Sequence, residues 1–338
     1  MHAFACPRCR QLVFFHDRHC LACDATLGFD AHELHVTVPG AGQHPCATSE
    51  RTGCNWLVER PGRLCRSCTL TRTRPADDDA PGLAAWATAE MHKRRVVFQL
   101  LALGLPVPET AGGDDGTDLA FGLLSPRDGP VVTGHAGGVI TIDLREVDDA
   151  HREQVRLDMG EPYRTVLGHI RHEVGHQQFD ALVGPDDLDE VRARFGDERA
   201  DYQDALDRHY ADGPPAGWEA DHVSAYATMH PSEDWAETFA HYLHLHGVLQ
   251  TAASYRLRVD GPQLDGLATP DAWASDPSAL RWNTIEELIA TWLPLSYALN
   301  AVSRSIGGQD LYPFVLPPPV IGKLGVVHRL VRRSVAAA

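Results

Sequence analysis

The chain has 338 residues, of which 43% are hydrophobic and 22% charged, and its formal net charge is -16 at pH 7. This composition is that of an ordinary globular protein, and the length predicts one large domain and a smaller one, since domains average roughly 150 residues. No apolar run approaches the roughly 18 residues that span a bilayer, and the N-terminus shows no signal-peptide pattern. We therefore expect a cytoplasmic protein that does not associate with membranes.

Charge is distributed unevenly along the chain. The first 75 residues carry nine Arg against six Asp and Glu, a balance of +3, which leaves -19 for the remainder. Neither region is basic enough to neutralise many backbone phosphates, so we expect no nucleic-acid partner.

All eight cysteines lie before residue 69, and they form two groups. Two CxxC pairs ten residues apart are typical of a zinc ribbon, because each pair forms a tight turn and two turns supply four thiolates in a tetrahedron. We predict one zinc ion in each group. The first would be bound by Cys6, Cys9, Cys20 and Cys23, and the second by Cys46, Cys54, Cys65 and Cys68.

The second group has only one CxxC pair, at Cys65 and Cys68. Zinc is still favoured there, because a cytosolic protein rarely keeps disulfides. A disulfide in an oxidising compartment, or His19 or His44 in place of one thiolate, is the alternative. Four protein ligands leave no open position for a substrate, so both ions would be structural.

A linker follows the cysteines. Arg74, Pro75 and the acidic run Asp77-Asp78-Asp79 have the composition of a connecting segment. We predict a tandem zinc-ribbon region over residues 1–75 and a second domain over residues 76–338.

The second domain begins with a predicted helix from Leu83 to about Leu103. Between Leu119 and Leu144, β-favouring runs alternate with turns, which predicts a small antiparallel sheet. Its strands would be Phe121–Leu124, Val131–Thr133 and Val139–Leu144. From Tyr163 onward helical patterns dominate. They predict helices at about 163–183, 187–210, 231–250 and 283–305, and a short last helix near Ile321–Val331.

The segment His172-Glu173-Val174-Gly175-His176 lies inside one of these helices. Histidines four residues apart share one helix face, where both imidazoles can bind one metal ion. Glu173 falls beside that face, where it can hold a water molecule and act as a general base. A surface helix with two solvated histidines is the alternative.

A catalytic zinc ion needs a third protein ligand and one open position. No histidine follows His176 at the spacing of HExxHxxGxxH, so this ligand must come from another segment. The predicted helix 231–250 contains Glu233 and Glu237, four residues apart. One can bind zinc while the other accepts the free N–H of a ligating histidine.

An HExxH helix followed by a helix with two such acids resembles the gluzincin metallopeptidases. The resemblance implies that Glu233 is the zinc ligand. It also implies that Glu237 does not bind zinc but forms a hydrogen bond to one of the ligands and so orients it. Tyr226 lies seven residues before Glu233. This offset resembles the anthrax lethal factor type of gluzincin, in which a tyrosine lies over the zinc ion. Tyr226 would then donate a hydrogen bond to the developing oxyanion. Simple packing of Tyr226, or His230 in the same role, is the alternative.

The chain as a whole is similar to a bacterial family of zinc-binding metallopeptidases with an N-terminal zinc ribbon. Five stretches carry this similarity, namely Cys6-Pro-Arg-Cys9, Cys54-Asn55-Trp56-Leu57-Val58, residues 160–176, residues 233–244 and Tyr312-Pro313-Phe314. The resemblance implies an α+β fold in which zinc ribbons precede a mainly helical, zincin-like (gluzincin) domain with a small antiparallel sheet.

A metallopeptidase with one catalytic and two structural zinc ions is the function that these residues indicate. Zinc held by His172, His176 and Glu233 would polarise a carbonyl group and activate water, and Glu173 would take the water proton. The substrate would be a peptide or a protein, and the ribbons could hold the substrate or a partner protein. We predict that the strand Val139–Leu144 is the edge strand to which an extended peptide adds.

Three further histidines have less specific patterns. His169 shares a helix face with His172, and we expect it to pack there rather than to bind metal. His241 and His244 are three residues apart, and we expect them to lie on a solvated or hydrogen-bonded helix face.

Two other functions are compatible with the sequence. The same zinc ion, base and oxyanion donor would serve a non-proteolytic hydrolase that acts on another amide or ester. Alternatively, the ribbons could bind a partner while the peptidase domain is inactive, although the intact Glu173 argues against this function.

Overall fold

A computed structural model describes residues 3–110, 119–262, 273–274 and 282–337. Helices and small sheets build the chain, which confirms the predicted α+β class. By packing, the chain divides into one unit formed by His2–Ala181 with Ser334–Ala338, and another formed by Leu182–Arg333. The sequence domains 1–75 and 76–338 stay a prediction. None of the described helices is long and apolar enough to cross a membrane.

Three short antiparallel hairpins and a single helical turn form the cysteine region. The pairs are β1 (Phe4–Ala5) with β2 (Leu12–Val13), β3 (Gly28–Asp30) with β4 (His35–Thr37), and β5 (His44–Pro45) with β6 (Leu57–Val58), and the turn is α1 (Ser49–Thr52). A further bridge joins Phe29 to Trp56 and so connects the second hairpin to the third.

Helix α2 (Ala80–Ala102) packs directly on these hairpins. Phe98 of α2 lies against Phe15 and Phe29, with ring centroids 4.9 and 5.5 Å apart, and Phe29 lies 5.0 Å from Trp56. All four rings are buried. Aromatic rings bury large apolar areas, so this cluster is the core that the small hairpins could not form alone.

A four-stranded sheet follows α2. Its strands are β7 (Thr71–Thr73), β8 (Ala120–Leu124), β9 (Gly134–Ala136) and β10 (Val139–Asp143), in the order β7-β8-β10-β9. The sequence predicts antiparallel pairing, and the structure has it between β9 and β10. Strand β8 instead lies parallel to both of its neighbours, β10 and β7.

Two details of the predicted sheet were wrong. The middle strand is Gly134–Ala136 rather than Val131–Thr133, because Gly137 and Gly138, with φ of 55° and 74°, form a two-residue hairpin turn. Such a turn pairs the residues that directly flank it. The strand at 139–143 lies between β8 and β9, so it is an inner strand and not the edge strand that we predicted.

Two helices complete this unit. Helix α3 (Asp149–Asp158) was not predicted, and it buries no residue. Helix α4 (Val166–Leu182) lies within the predicted helix 163–183. It begins after Thr165, whose Oγ1 accepts a hydrogen bond of 2.9 Å from the backbone N–H of Gly168. This cap satisfies a donor that a helix start leaves without an intrahelical partner.

The other unit is mainly helical. Its elements are α5 (Leu188–Phe195), α6 (Tyr202–Asp212), α7 (Pro231–Ser254), β11 (Arg258–Val259), β12 (Trp273–Ala274), α8 (Ile285–Ser305) and α9 (Pro318–Ala337). The prediction of a single helix over 187–210 was wrong. Gly196, with φ of 98°, ends α5, and Asp201 caps a new helix by accepting from the N–H of Asp204 at 2.9 Å.

Helix α7 forms the centre of this unit. Trp235, Phe239 and Leu243 on it are fully buried. Its Asp234 is buried as well, and Lys323 of α9 lies 2.5 Å from the Asp234 carboxylate. Helix α9 is longer than the predicted segment 321–331.

The contact between α2 and the first ribbon predicts a dependence of stability on pH. Arg95 of α2 donates Nε–H to His16 Nε2 at 2.8 Å. Burial, together with the charges of Arg95 and Arg94, lowers the pKa of His16 to about 3. In the unfolded chain a histidine has a pKa near 6.5, whereas His16 in the folded chain stays neutral down to about pH 3. Between these two pH values only the unfolded chain gains the proton, so acidification lowers the free energy of unfolding.

We therefore expect His16→Gln, which keeps an acceptor for Arg95 but does not titrate, to flatten this dependence. Between pH 6.5 and 5 the wild type should lose about 1–2 kcal/mol more free energy of unfolding than the variant. Denaturant titrations at each pH measure the difference. The exposed His32 provides the control, since His32→Gln should follow the wild type. Parallel curves for wild type and His16→Gln would contradict the assignment.

Candidate active site and metal centres

The first cysteine group comes together from the loop that joins β1 to β2, which carries Cys6 and Cys9, and from the turn after β2, which carries Cys20 and Cys23. The sulfur atoms of Cys6 and Cys23 are 3.7 Å apart, and those of Cys9 and Cys20 are 3.6 Å apart. All four sulfurs lie within 4.8 Å of one another. Cys9 is exposed and Cys23 is partly exposed, so this group lies at the surface.

The second cysteine group is buried at all four positions. Cys54 Sγ lies 3.7 Å from both Cys65 Sγ and Cys68 Sγ, and the four sulfurs again lie within 4.8 Å of one another. Thr48 Oγ1 donates to Cys68 Sγ at 3.2 Å, and the backbone N–H of Cys65 donates to Cys46 Sγ at 3.3 Å.

Both groups fit a zinc ion. A Zn–S bond of about 2.3 Å in a tetrahedron puts neighbouring sulfurs about 3.8 Å apart, close to the separations observed. A disulfide would need about 2.05 Å, and all eight cysteines are free thiols. Neither His19 nor His44 belongs to either group in the described chain. The thiolate set predicted from the sequence is therefore the one that the fold brings together.

Thiols this close cannot all ionise without a cation among them. Hydrogen bonds from the other three thiols, that of Cys54 above all, lower the pKa of Cys46. The same hydrogen bond between Cys46 and Cys54 raises the pKa of Cys54. One thiolate is thus stabilised at the expense of its neighbours. A divalent cation removes this conflict, because it attracts all four thiolates.

Buried cations of α2 lie beside the second cysteine group. Arg94 is 1% exposed and donates to the backbone oxygen of Thr52 at 3.1 Å. Burial alone would lower the pKa of Arg94, but the thiolates of Cys54 and Cys68 raise it. A zinc ion with four thiolates carries a net charge of -2, and the buried Arg94 would offset part of that charge.

The two histidines of the HExxH segment lie side by side on α4. The ring centroids of His172 and His176 are 5.0 Å apart, with planes at 80°. Glu173 is largely buried next to them. Two imidazole nitrogens and a neighbouring carboxylate are the donor types of a catalytic zinc site, so this helix face fits the group that the sequence indicates.

In the other unit, Glu233 and Glu237 are held on the first two turns of α7. Tyr202 OH donates to Glu233 Oε1 at 3.1 Å, and Ser224 Oγ donates to Glu237 Oε2 at 2.6 Å. Glu233 is 3% exposed. The sequence analysis identified neither Tyr202 nor Ser224, because no spacing relates them to the acids that they orient.

His230 has a structural role at the start of α7. Its Nδ1 accepts from the backbone N–H of Ser232 at 3.1 Å, and its Nε2 lies 3.1 Å from the backbone oxygen of Ala200. Both ring nitrogens are engaged, so His230 is not the alternative oxyanion donor. Tyr226 lies in a short 3₁₀ turn, Tyr226–Thr228. Burial and the charge of Glu233 raise the pKa of Tyr226, which keeps its hydroxyl protonated.

Two of the other histidines also have structural partners. His169 forms an ion pair with the buried Glu146. His241 Nδ1 lies 2.8 Å from Tyr312 OH, and the Asn300 side chain bonds the backbone of Tyr312 at 2.9 and 3.0 Å. These contacts agree with the packed and hydrogen-bonded roles that the sequence predicts.

Comparison with known proteins gives two family matches. Residues 82–330 match the family described as "Putative zinc-binding metallo-peptidase", and residues 3–79 match a zinc-ribbon domain. Uncharacterized proteins of Mycobacterium bovis and Mycobacterium tuberculosis are 49% identical over 339 residues, which covers 98% of this chain and 95% of theirs. No solved structure matches.

The different burial of the two cysteine groups predicts two rates of zinc release. In a His176→Ala background, which removes the HExxH site, we expect a colorimetric chelator to take zinc first from the exposed group and later from the buried one. Cys9→Ser should abolish the fast phase, and the matched Cys65→Ser should abolish the slow phase. A single phase, or the opposite assignment, would show that burial does not control access to these ions.

Proposed function

Because the chain belongs to the zinc-binding metallo-peptidase family, we propose that it is a zinc-dependent peptidase that cleaves peptides or proteins. The observation that carries the proposal is the face of α4 on which His172 and His176 lie together with Glu173 beside them. A metal-binding pair with an adjacent carboxylate is an arrangement by which a zinc ion and a general base hydrolyse an amide.

We assign the catalytic zinc ion to His172, His176 and Glu233. Each of these residues offers one ligand atom, and three protein ligands leave the open position that a catalytic site needs. Glu237 then acts as the carboxylate that orients a ligating histidine. Tyr202 holds Glu233 by a hydrogen bond, as is usual for a ligating carboxylate.

The protein groups have separate tasks in the proposed reaction. When bound, zinc supplies a Lewis acid for the carbonyl group and acidifies the attacking water. Glu173 accepts the proton of that water and delivers it to the leaving amine nitrogen, which then departs as a neutral group. Tyr226 donates a hydrogen bond to the carbonyl oxygen as negative charge develops there.

The ribbons and their two zinc ions have a structural task in this proposal. Four thiolates fill the coordination shell of each ion, so neither can act on a substrate. We propose that the surface of the ribbons holds the substrate or a partner protein. We also place the protein in the cytoplasm, where a reducing environment keeps the thiols available for zinc.

The general base provides the first test. Glu173→Gln keeps the size of the side chain but removes its basicity, so cleavage of a peptide library should fall about 10²–10⁴-fold. The variant should still hold about three zinc ions per chain, as measured by atomic absorption, because Glu173 is not a ligand.

The matched control is His172→Ala, which should lose both the activity and one zinc ion. Full activity in Glu173→Gln would overturn the role of Glu173. Hydrolysis of esters or non-peptide amides, with no cleavage of any peptide, would instead favour the non-proteolytic hydrolase. A wild type with zinc but without turnover on any of these would favour the partner-binding protein.

The two acids of α7 provide the second test. Glu233→Gln should leave only about two zinc ions per chain, because a ligand is lost. Glu237→Gln should keep the third ion and weaken its affinity about 10–100-fold, which is typical when a ligand loses its hydrogen-bonding support. Competitive titration with a zinc indicator measures both. The opposite pattern would make Glu237 the ligand.

A further inference from the structure

His135 lies in the middle of β9, and its ring faces the HExxH helix. The ring is parallel to that of His176 within 10°, and the two centroids are 6.1 Å apart. Side chains alternate between the two faces of a strand, so Ala136 points away from this face. His135 is thus the side chain of β9 that lies against the HExxH helix.

One ring nitrogen of this histidine is not used by the fold. Its Nε2 is buried from solvent, and it has no hydrogen-bond partner among the described residues. A buried polar nitrogen without a partner carries a desolvation penalty that the fold does not recover. Such a group persists where a ligand supplies the missing partner.

His135 is not placed as a metal ligand. Among the described residues, no group of ligand atoms that meets within 4.8 Å includes His135. Its parallel arrangement with His176 is that of stacked rings in contact. The nitrogen therefore lies beside the metal-binding face without belonging to it.

The strand that carries His135 is at an edge of the sheet. Within the described chain, β9 pairs with β10 on one side, and the order β7-β8-β10-β9 places its other side at the edge. Unpaired main-chain groups at a sheet edge accept an extended peptide as an additional strand, about 4.8 Å away. A peptide bound there would pass His135 next to His176.

We propose that His135 is a catalytic residue, whose Nε2–H donates a hydrogen bond to the carbonyl oxygen of the peptide bond that is cleaved. The inference rests on the proposed peptidase function. A donor directed at that oxygen stabilises the charge that develops in the transition state more than in the bound substrate.

Two substitutions separate the hydrogen bond from the ring contact. His135→Phe keeps a ring against His176 but has no donor, and kcat/KM for a peptide selected from the library should fall about 10²-fold. His135→Gln restores an N–H at a similar reach and should recover part of the loss. Both variants should retain the zinc content of the wild type.

Two readouts do not depend on turnover. A phosphinic analogue of the same peptide mimics the tetrahedral intermediate, and its Kd, measured by calorimetry, should rise in His135→Phe by a similar factor. The Tm of His135→Phe should be unchanged or higher, because an unsatisfied buried donor is removed. His92 also has a buried nitrogen without a partner in the described chain, so His92→Phe is the matched control and should keep wild-type kcat/KM.

The outcomes distinguish this inference from the proposed function. Wild-type cleavage that His135→Phe leaves unchanged would overturn the role of His135 and keep the peptidase. Loss of one zinc ion, or a marked fall in Tm, would show a ligand or a structural residue instead. A zinc-loaded wild type that neither cleaves the library nor binds the analogue would overturn the proposed function, and this inference with it.

Discussion

Burying a charged side chain costs free energy unless an opposite charge lies beside it, and this constraint governs the longest helix of each unit. In α2, Glu90 and Lys93 are 1% and 0% exposed, and their charged atoms are 2.9 Å apart. In α7, Asp234 and Lys323 form the equivalent pair. Removing one partner of such a pair costs about 3–5 kcal/mol, because the other charge remains without compensation. The hairpins of the cysteine region pack against α2, and the acidic ligand candidates lie on α7 itself.

The cysteine groups are subject to the same constraint, that buried charges must be compensated, at shorter distances. Thiolates that converge within a few ångströms are stable together only when a cation neutralises them. The second cysteine group illustrates this, since it is fully buried and Arg94 lies beside it. Other side chains hold these groups in place by hydrogen bonds, as Thr48 does for a thiol of the second cysteine group and Tyr202 for the candidate ligand Glu233. Such preorganisation lets a metal ion bind without large rearrangement.

Short-range patterns predicted much of this structure, and long-range contacts explain what they missed. The cysteine groups and the helix around His172 follow from spacing alone. Helix α3 was missed because it is short and strongly polar, with few apolar residues to mark a helical period, and it buries none of them. The predicted helix 187–210 failed at Gly196, where a positive φ ends α5. Tyr202 and His135 lie far along the chain from the residues they contact, so no local pattern could indicate them.

The scarcity of lysine has a chemical consequence. The sequence contains only Lys93 and Lys323, and both ammonium groups are buried in ion pairs. Every exposed side-chain cation described is therefore a guanidinium, which stays protonated under all physiological conditions, or an imidazole. Reagents and enzymes that acylate, methylate or cross-link lysine amines would find none at the surface of the folded chain. Reaction at either lysine would thus report that α2, which carries Lys93, or α9, which carries Lys323, has moved away from its packing, and lysine reactivity becomes an intrinsic probe of unfolding.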